Sequence, residues 1–172
     1  MDNQLTSPST IRRTTVREAD QVSVIGPNRV LLDWTLAEII ESIERAPRVL
    51  TLAVVDAAGR LQGVIPFQQI VDEVFLQITP EAFLSEIHTL SDAQQYALKS
   101  RLSRAATAAE MMAPPISVYE HETIVDAFRK MREANLRGLP IVDAEMTVIG
   151  YLDLLELVLV WMRAEQRKGS KG

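Results

Sequence analysis

The sequence predicts an α/β (α+β) fold made of two small β-α-β-β-α units in tandem, with a helical hairpin inserted between them. Three observations predict it. The pattern between Thr35 and Ile65 is read a second time between Thr123 and Leu152. Each copy joins a helical apolar period to two short apolar strands that bracket an aspartate turn. The 172-residue chain is 47% hydrophobic and 24% charged, the balance of a globular protein with a real core.

The first copy opens on Thr35-Leu36-Ala37-Glu38, a capping box whose hydroxyl and carboxylate satisfy helix N-terminal amides. Ile39, Ile40 and Ile43 form the helix face, Pro47 ends it, and the strand Leu52-Ala53-Val54-Val55-Asp56 follows. Asp56-Ala57-Ala58-Gly59 turns this strand into Leu61-Gln62-Gly63-Val64-Ile65. Val30-Leu31-Leu32 supplies a strand before the helix. Phe67, Ile70, Val71 and Val74 recur at helical spacing and predict a second helix from about Pro66 to Phe75.

The second copy answers with Thr123-Ile124-Val125-Asp126, the face Ala127, Phe128 and Met131, and the strands Leu139-Pro140-Ile141-Val142-Asp143 and Val148-Ile149-Gly150-Tyr151-Leu152. Its helix start follows the first by 88 positions and its strands by 87. A strand Ile116 to Tyr119 precedes the helix, and a final helix runs from Leu154 to about Glu165. Two copies of a unit this small bury apolar faces that neither could bury alone.

Residues 1–28 read as a polar, mixed-charge N-terminal arm, flexible in its first part, with Val22, Val24 and Ile25 able to form a short edge strand before Gly26-Pro27. Repeat 1 covers 29–78. Residues 79–106 carry two helix starts, Thr79-Pro80-Glu81 and Ser91-Asp92-Ala93-Gln94, and predict the hairpin, a packing spacer or a docking surface. Repeat 2 covers 107–165, opening on a short helix at Thr107-Ala108-Ala109-Glu110, and 166–172 form a basic tail.

The formal charge is −5, with the acidic excess between residues 21 and 162, which argues against a nucleic-acid partner. There is no cysteine, so disulfides, thiolate nucleophiles and cysteine metal sites are excluded. His121 lies between Glu120 and Glu122, but three adjacent residues cannot all face one ion. No apolar run is long enough to insert in a membrane, and no basic leader precedes an apolar stretch, so the expectation is a cytoplasmic protein. No nucleophile with a base, paired catalytic carboxylates or Gly-rich phosphate loop can be assembled, which disfavours an enzyme. Trp34 and Trp161 read as core or dimer contacts.

Thr107-Ala-Ala-Glu-Met-Met-Ala-Pro-Pro-Ile-Ser-Val, Glu122-Thr-Ile-Val-Asp-Ala-Phe-Arg-Lys-Met, Leu139-Pro-Ile-Val-Asp and Val148-Ile-Gly closely resemble a cystathionine-β-synthase (CBS) domain. Val54-Val-Asp-Ala-Ala-Gly-Arg-Leu-Gln-Gly-Val-Ile resembles a weaker copy, and together the repeats resemble a CBS pair, or Bateman module. The resemblance implies a pseudo-twofold arrangement of the units with two clefts, a homodimer, and a regulatory, non-catalytic role. It also implies an adenosine-containing ligand (AMP, ADP, ATP or S-adenosylmethionine), no required cofactor, and a regulated enzyme, transporter or channel as partner.

In the family the strand glycine is followed by two apolar residues, a Ser or Thr near phosphate, and, three positions after that hydroxyl, an Asp on the ribose. Here Asp153 stands at the hydroxyl position and Glu156 at the ribose position of repeat 2. Ser117, Arg137, Leu139 and Pro140 complete this candidate site, with Arg137 able to offset Asp153. In repeat 1 the matching residues are Leu52, Pro66 and Gln69; Pro66 has neither hydroxyl nor amide, and Gln69 has no charge. A negative Asp153 disfavours a phosphate there. Asp153-x-x-Glu156 is equally a helix cap. Two functions remain open: an adenosine-ligand sensor that modulates a partner, and a dimeric scaffold whose clefts hold no ligand.

Overall fold

A computed structural model describes residues 13–20, 29–45, 50–74, 100, 104 and 106–169. Its elements in chain order are α1 (Val16–Asp20), β1 (Arg29–Leu31), α2 (Leu36–Arg45), β2 (Thr51–Val55), β3 (Leu61–Pro66), α3 (Phe67–Asp72), α4 (Ala108–Met111), β4 (Val118–Tyr119), α5 (Ile124–Glu133), β5 (Gly138–Val142), β6 (Val148–Asp153) and α6 (Leu154–Gly169). The fold is mixed α/β, with two three-stranded sheets ordered β1-β2-β3 and β4-β5-β6. The hairpin expected over 79–106 lies almost wholly outside the described residues, as does the edge strand expected at Val22–Ile25.

The chain divides into two compact units, Asn28–Pro115 and Met1–Pro27 with Ile116–Gly172. In the first, β1 runs parallel to β2 and β2 antiparallel to β3, with Leu52 opposite Ile65 and Val54 opposite Gly63. Every residue of β2 is buried. The capping box at Thr35 forms: its amide donates to Glu38 Oε2 at 2.8 Å. Behind it α2 buries Leu36 and Ile39 completely, each contributing roughly 1.5–3 kcal/mol relative to exposure.

The second unit repeats the plan. β4 is parallel to β5 and β5 antiparallel to β6, with Leu139 opposite Leu152 and Ile141 opposite Gly150. The register shifts between Val54 and Val55 in β2, and between Ile141 and Val142 in β5, so the irregularity is duplicated with the strands. Thr123 caps α5 by accepting the Asp126 amide, and Asp126 is held below the usual carboxylate range first by the Thr123 hydroxyl. Ala127 and Met131 are fully buried as the helical period predicts, but Phe128, expected on the same face, is 44% exposed. Asn135 adopts φ 53° just after α5, where Leu136 donates back to the Met131 carbonyl at 2.8 Å and stops the helix.

The sequence expectation fails at the lead-in segments. The N-terminal arm is not free throughout: Thr15 and Glu18 form a capping box, and Val16 and Ala19 of α1 are fully buried. Val16 and Arg17 donate to the carbonyls of Glu122 and Glu120 at 2.9 and 3.0 Å, and the Arg17 guanidinium pairs with the Glu120 carboxylate. Likewise α4, expected to open repeat 2, packs in the repeat 1 unit, its Ala108 and Ala109 amides donating to Trp34 and Leu32 carbonyls at 2.9 Å. Thr15 thus bridges Thr123, and Thr107 bridges Thr35. Each unit takes its lead-in segment from the chain that precedes the other repeat, a pairing across sequence that local periodicity does not encode. At the other end, α6 runs to Gly169 and takes in the start of the basic tail expected from 166.

The two aspartate turns share their hydrogen bonding but differ at the left-handed position. Asp56 Oδ1 accepts the Ala58 and Arg60 amides at 2.9 and 3.0 Å, and Asp143 Oδ1 accepts those of Glu145 and Thr147 at 3.1 and 2.8 Å. The left-handed residue is Gly59 (φ 79°) in the first turn and Met146 (φ 65°) in the second. A side chain there costs about 1–2 kcal/mol, partly offset by the contact of the Tyr119 hydroxyl with Met146 Sδ at 3.5 Å. Met146→Gly is therefore expected to raise unfolding stability by about 1 kcal/mol in urea denaturation; a loss of stability would show that the Tyr119 contact outweighs the backbone strain.

Candidate functional site

The candidate site of repeat 2 is built where β5 begins and β6 ends. The register sets Gly138 opposite Asp153 and Leu139 opposite Leu152. Val118 lies opposite Ile141, so Ser117, one residue earlier on a parallel neighbour, stands level with Pro140. Leu139 and Pro140 are buried, and Ser117 is half-buried with its carbonyl accepting from Lys130 Nζ at 2.9 Å. Arg137, expected to offset Asp153, has an exposed side chain; its contribution is its carbonyl, which accepts the Leu154 amide at 3.1 Å and ties the strand entry to α6.

Asp153 and Glu156 form the cap that their spacing allows. The Asp153 amide donates to Glu156 Oε2 at 2.9 Å, and the Glu156 amide donates to Asp153 Oδ1 at 2.7 Å. Both side chains are buried, Asp153 at 6% and Glu156 at 0% exposure. A helix N-terminus attracts anions through its unsatisfied amides and its dipole. Here the chain's own carboxylates occupy that place, the Asp153, Leu154 and Glu156 amides are already taken, and an incoming phosphate would meet Asp153. At about 4 Å such repulsion is roughly 1 kcal/mol in water and about 4 kcal/mol at an effective dielectric of 20.

Repeat 1 arranges the same positions differently. Leu52 is buried opposite Ile65, and Pro66 opposite Thr51 ends β3. Pro66 stands at the α3 N-cap with φ −62° and no side-chain cap bond. The Phe67 amide donates to the Leu50 carbonyl at 3.0 Å, repeating the Leu154–Arg137 bond of repeat 2. Gln69, in the place of Glu156, donates its side-chain amide to the Met111 carbonyl.

Two residues outside the sequence-derived site shape it. Tyr151 is 1% exposed, and its ring lies so close over Gly138 that a Cβ there would sit 2.0 Å from the hydroxyl and 2.5 Å from Cζ. The corresponding pair in repeat 1 is Val64 and Thr51, two side chains of similar size where repeat 2 has one large and one absent. The signal was present in the 87-residue offset, but reading it requires the cross-strand register. Elsewhere, His121 stacks on Tyr119 with ring centroids 5.4 Å apart, and among the described residues no His, Asp and Glu group could hold a metal ion.

Comparison with known proteins places this geometry in a family. Residues 108–162 match the family model described as CBS domain. A CBS domain-containing protein of Dictyostelium discoideum is 30% identical over 131 residues, covering 74% of this chain and 81% of that protein. The chain belongs to the CBS domain family. Among solved structures, a CBS domain-containing protein from Thermotoga maritima matches with a TM-score of 0.65 at 20% identity, over 88% of this chain and 96% of that one. CBSX2 of Arabidopsis thaliana, solved in complex with AMP, matches at 0.60 and 21% over 88% and 98%. The CBS domain pair of protein MJ0100, solved with 5′-methylthioadenosine and S-adenosyl-L-methionine, matches at 0.61 and 19% over 88% and 98%. At such identities the likeness establishes the CBS-pair fold, and both repeats take part in it.

The Gly138–Tyr151 packing yields a direct test. Gly138→Thr alone is expected to cost about 1–3 kcal/mol by overpacking, and Tyr151→Val alone about 3 kcal/mol through the cavity it leaves. Combined, they recreate the repeat 1 pair and should cost at least about 1 kcal/mol less than the sum, measured by urea denaturation. Strict additivity would contradict the packing relation.

Proposed function

We propose that this CBS pair is a regulatory sensor that binds a phosphate-free adenosine compound through the repeat 2 half-site and passes the change to a partner protein. The observation that carries the proposal is the Asp153–Glu156 cap. Both carboxylates of that cap are buried, and the family resemblance assigns Glu156 to the ribose position and Asp153 to the place beside phosphate. A carboxylate accepts both hydroxyls of a ribose diol, so Glu156 suits an adenosine, while Asp153 selects against a phosphate and for a neutral or cationic 5′ group. The AMP complex of CBSX2 and the methylthioadenosine and S-adenosylmethionine complexes of the MJ0100 pair support an adenosine compound as the ligand class. The charge pattern here favours ligands of the second kind.

The role is that of a non-catalytic module working as a homodimer on a separate enzyme, transporter or channel in the cytoplasm. No helix among the described residues is long and apolar enough to cross a membrane, which fits a module acting outside the bilayer. A second reading, a dimeric scaffold with no ligand, is favoured by two observations: the Asp153 and Glu156 carboxylates are already used by the helix, and the Gln69 amide is used by Met111.

Calorimetric titration separates them. 5′-Methylthioadenosine and S-adenosylmethionine are expected to bind at least tenfold more tightly than AMP, a difference of about 1.4 kcal/mol. Asp153→Thr, which keeps a capping hydroxyl but removes the charge, should narrow or reverse that preference. AMP binding as tightly as methylthioadenosine to the wild type would overturn the charge argument. Binding of none, in a protein that still dimerises, would favour the scaffold.

A further inference from the structure

Residue 69 holds in α3 the place that Glu156 holds in α6, 87 positions later. The two side chains are similar in size and differ in one chemical respect: a primary amide donates hydrogen bonds, whereas a carboxylate only accepts them. In the repeat 1 unit the Gln69 amide uses that capacity on the chain's own backbone, donating to the carbonyl of Met111, the last residue of α4.

The chain then continues across β3. Ala113 and Val64 exchange two backbone bonds, Ala113 donating at 2.9 Å and Val64 at 3.1 Å. Between these anchors Met112 passes over Gly63, where a Cβ would come within 2.6 Å of both the Ala113 carbonyl oxygen and Met112 Sδ. The backbone contact leaves no room for a side chain, so the Gly63 position is dictated by the close approach of this strap. Met111–Ala113 is thereby fixed at three successive points: Gln69 below it, Gly63 beneath its centre and Val64 along its edge.

Repeat 2 lacks the donor that such an arrangement needs. Its residue corresponding to Met111, counted from the capping threonines Thr107 and Thr15, is Ala19. Glu156 as a carboxylate cannot donate to a backbone carbonyl, and its Oε2 accepts the Asp153 amide. One atom exchange, nitrogen for oxygen, therefore separates a side chain committed to the strap from one suited to hydroxyl donors.

We infer that Gln69 is a specificity-determining residue that commits the repeat 1 half-site to the Met111–Ala113 strap, so that each chain binds one adenosine-type ligand, at repeat 2. The stoichiometry rests on the ligand reading above; the hold of Gln69 on the strap does not.

The experiment combines residue-resolved amide exchange with calorimetry on the full chain, using wild type and Gln69→Glu. In the variant the carboxylate can no longer donate to Met111, and exchange at the Val64 and Ala113 amides is expected to quicken at least tenfold, while the Asp153 and Glu156 amides keep their wild-type rates. Should Gln69→Glu fail to fold, Gln69→Leu, which keeps the bulk without the donor, is expected to show the same local change. Wild type titrated with 5′-methylthioadenosine should give one site per chain. Unchanged exchange at Val64 and Ala113, or two sites per wild-type chain, would overturn the inference. No binding at all would sink the ligand reading and the stoichiometry with it, and the exchange rates would still decide what Gln69 holds.

Discussion

Asp153 and Glu156 exchange hydrogen bonds across the first turn of α6 while both are buried, and this contact links the fold to the chemistry of the site. A helix start with unsatisfied amides is costly when buried and attractive to anions. The chain resolves the cost internally, with its own carboxylates. The same device opens α1, α2, α4 and α5 through Thr15, Thr35, Thr107 and Thr123. At Glu110 it holds the carboxyl below its ordinary range, chiefly through the Thr107 amide. Among the described helices, α6 alone opens on a pair of acidic residues, and at α3 the cap position is Pro66, with no side-chain cap bond. The two helix starts that face the candidate half-sites are the ones that depart from the common pattern.

That contrast makes the repeats unequal despite nearly superposable hydrogen bonding. Both sheets have the same order, the same register irregularity and the same bond from strand entry to helix start. The differences that bear on the site are Thr51 and Val64 against Gly138 and Tyr151, Pro66 against Asp153, and Gln69 against Glu156. The scaffold has been kept and its polar positions changed, the distribution expected when packing is set by the fold and selectivity by a few side chains.

Much of this was legible in the sequence because its causes are local. Capping boxes, the 3.6-residue period of α2 and α5, and aspartate turns depend on residues three or four apart, and those among the described residues formed close to their expected positions. The placement of α1 and α4 was not legible, because Val16 and Ala108 are buried by backbone bonds to residues far along the chain: Val16 donates to Glu122 and Ala108 to Trp34. The site was half-legible. Sequence order identified Asp153, Glu156, Pro66 and Gln69, but left open whether the acidic pair served the helix or a ligand. It could not reveal that Tyr151 fills the space over Gly138, or that the Met111 carbonyl meets Gln69, since both contacts arise from strand register and chain path.

The most direct test of the central claim, that the Asp153–Glu156 cap bars phosphate from the start of α6, is a crystal structure of the protein grown with AMP in excess. The Glu156 amide is expected to stay on Asp153 Oδ1, with no phosphate at this helix terminus. A phosphate bound to the Glu156 amide, with the Asp153 carboxylate displaced, would contradict it.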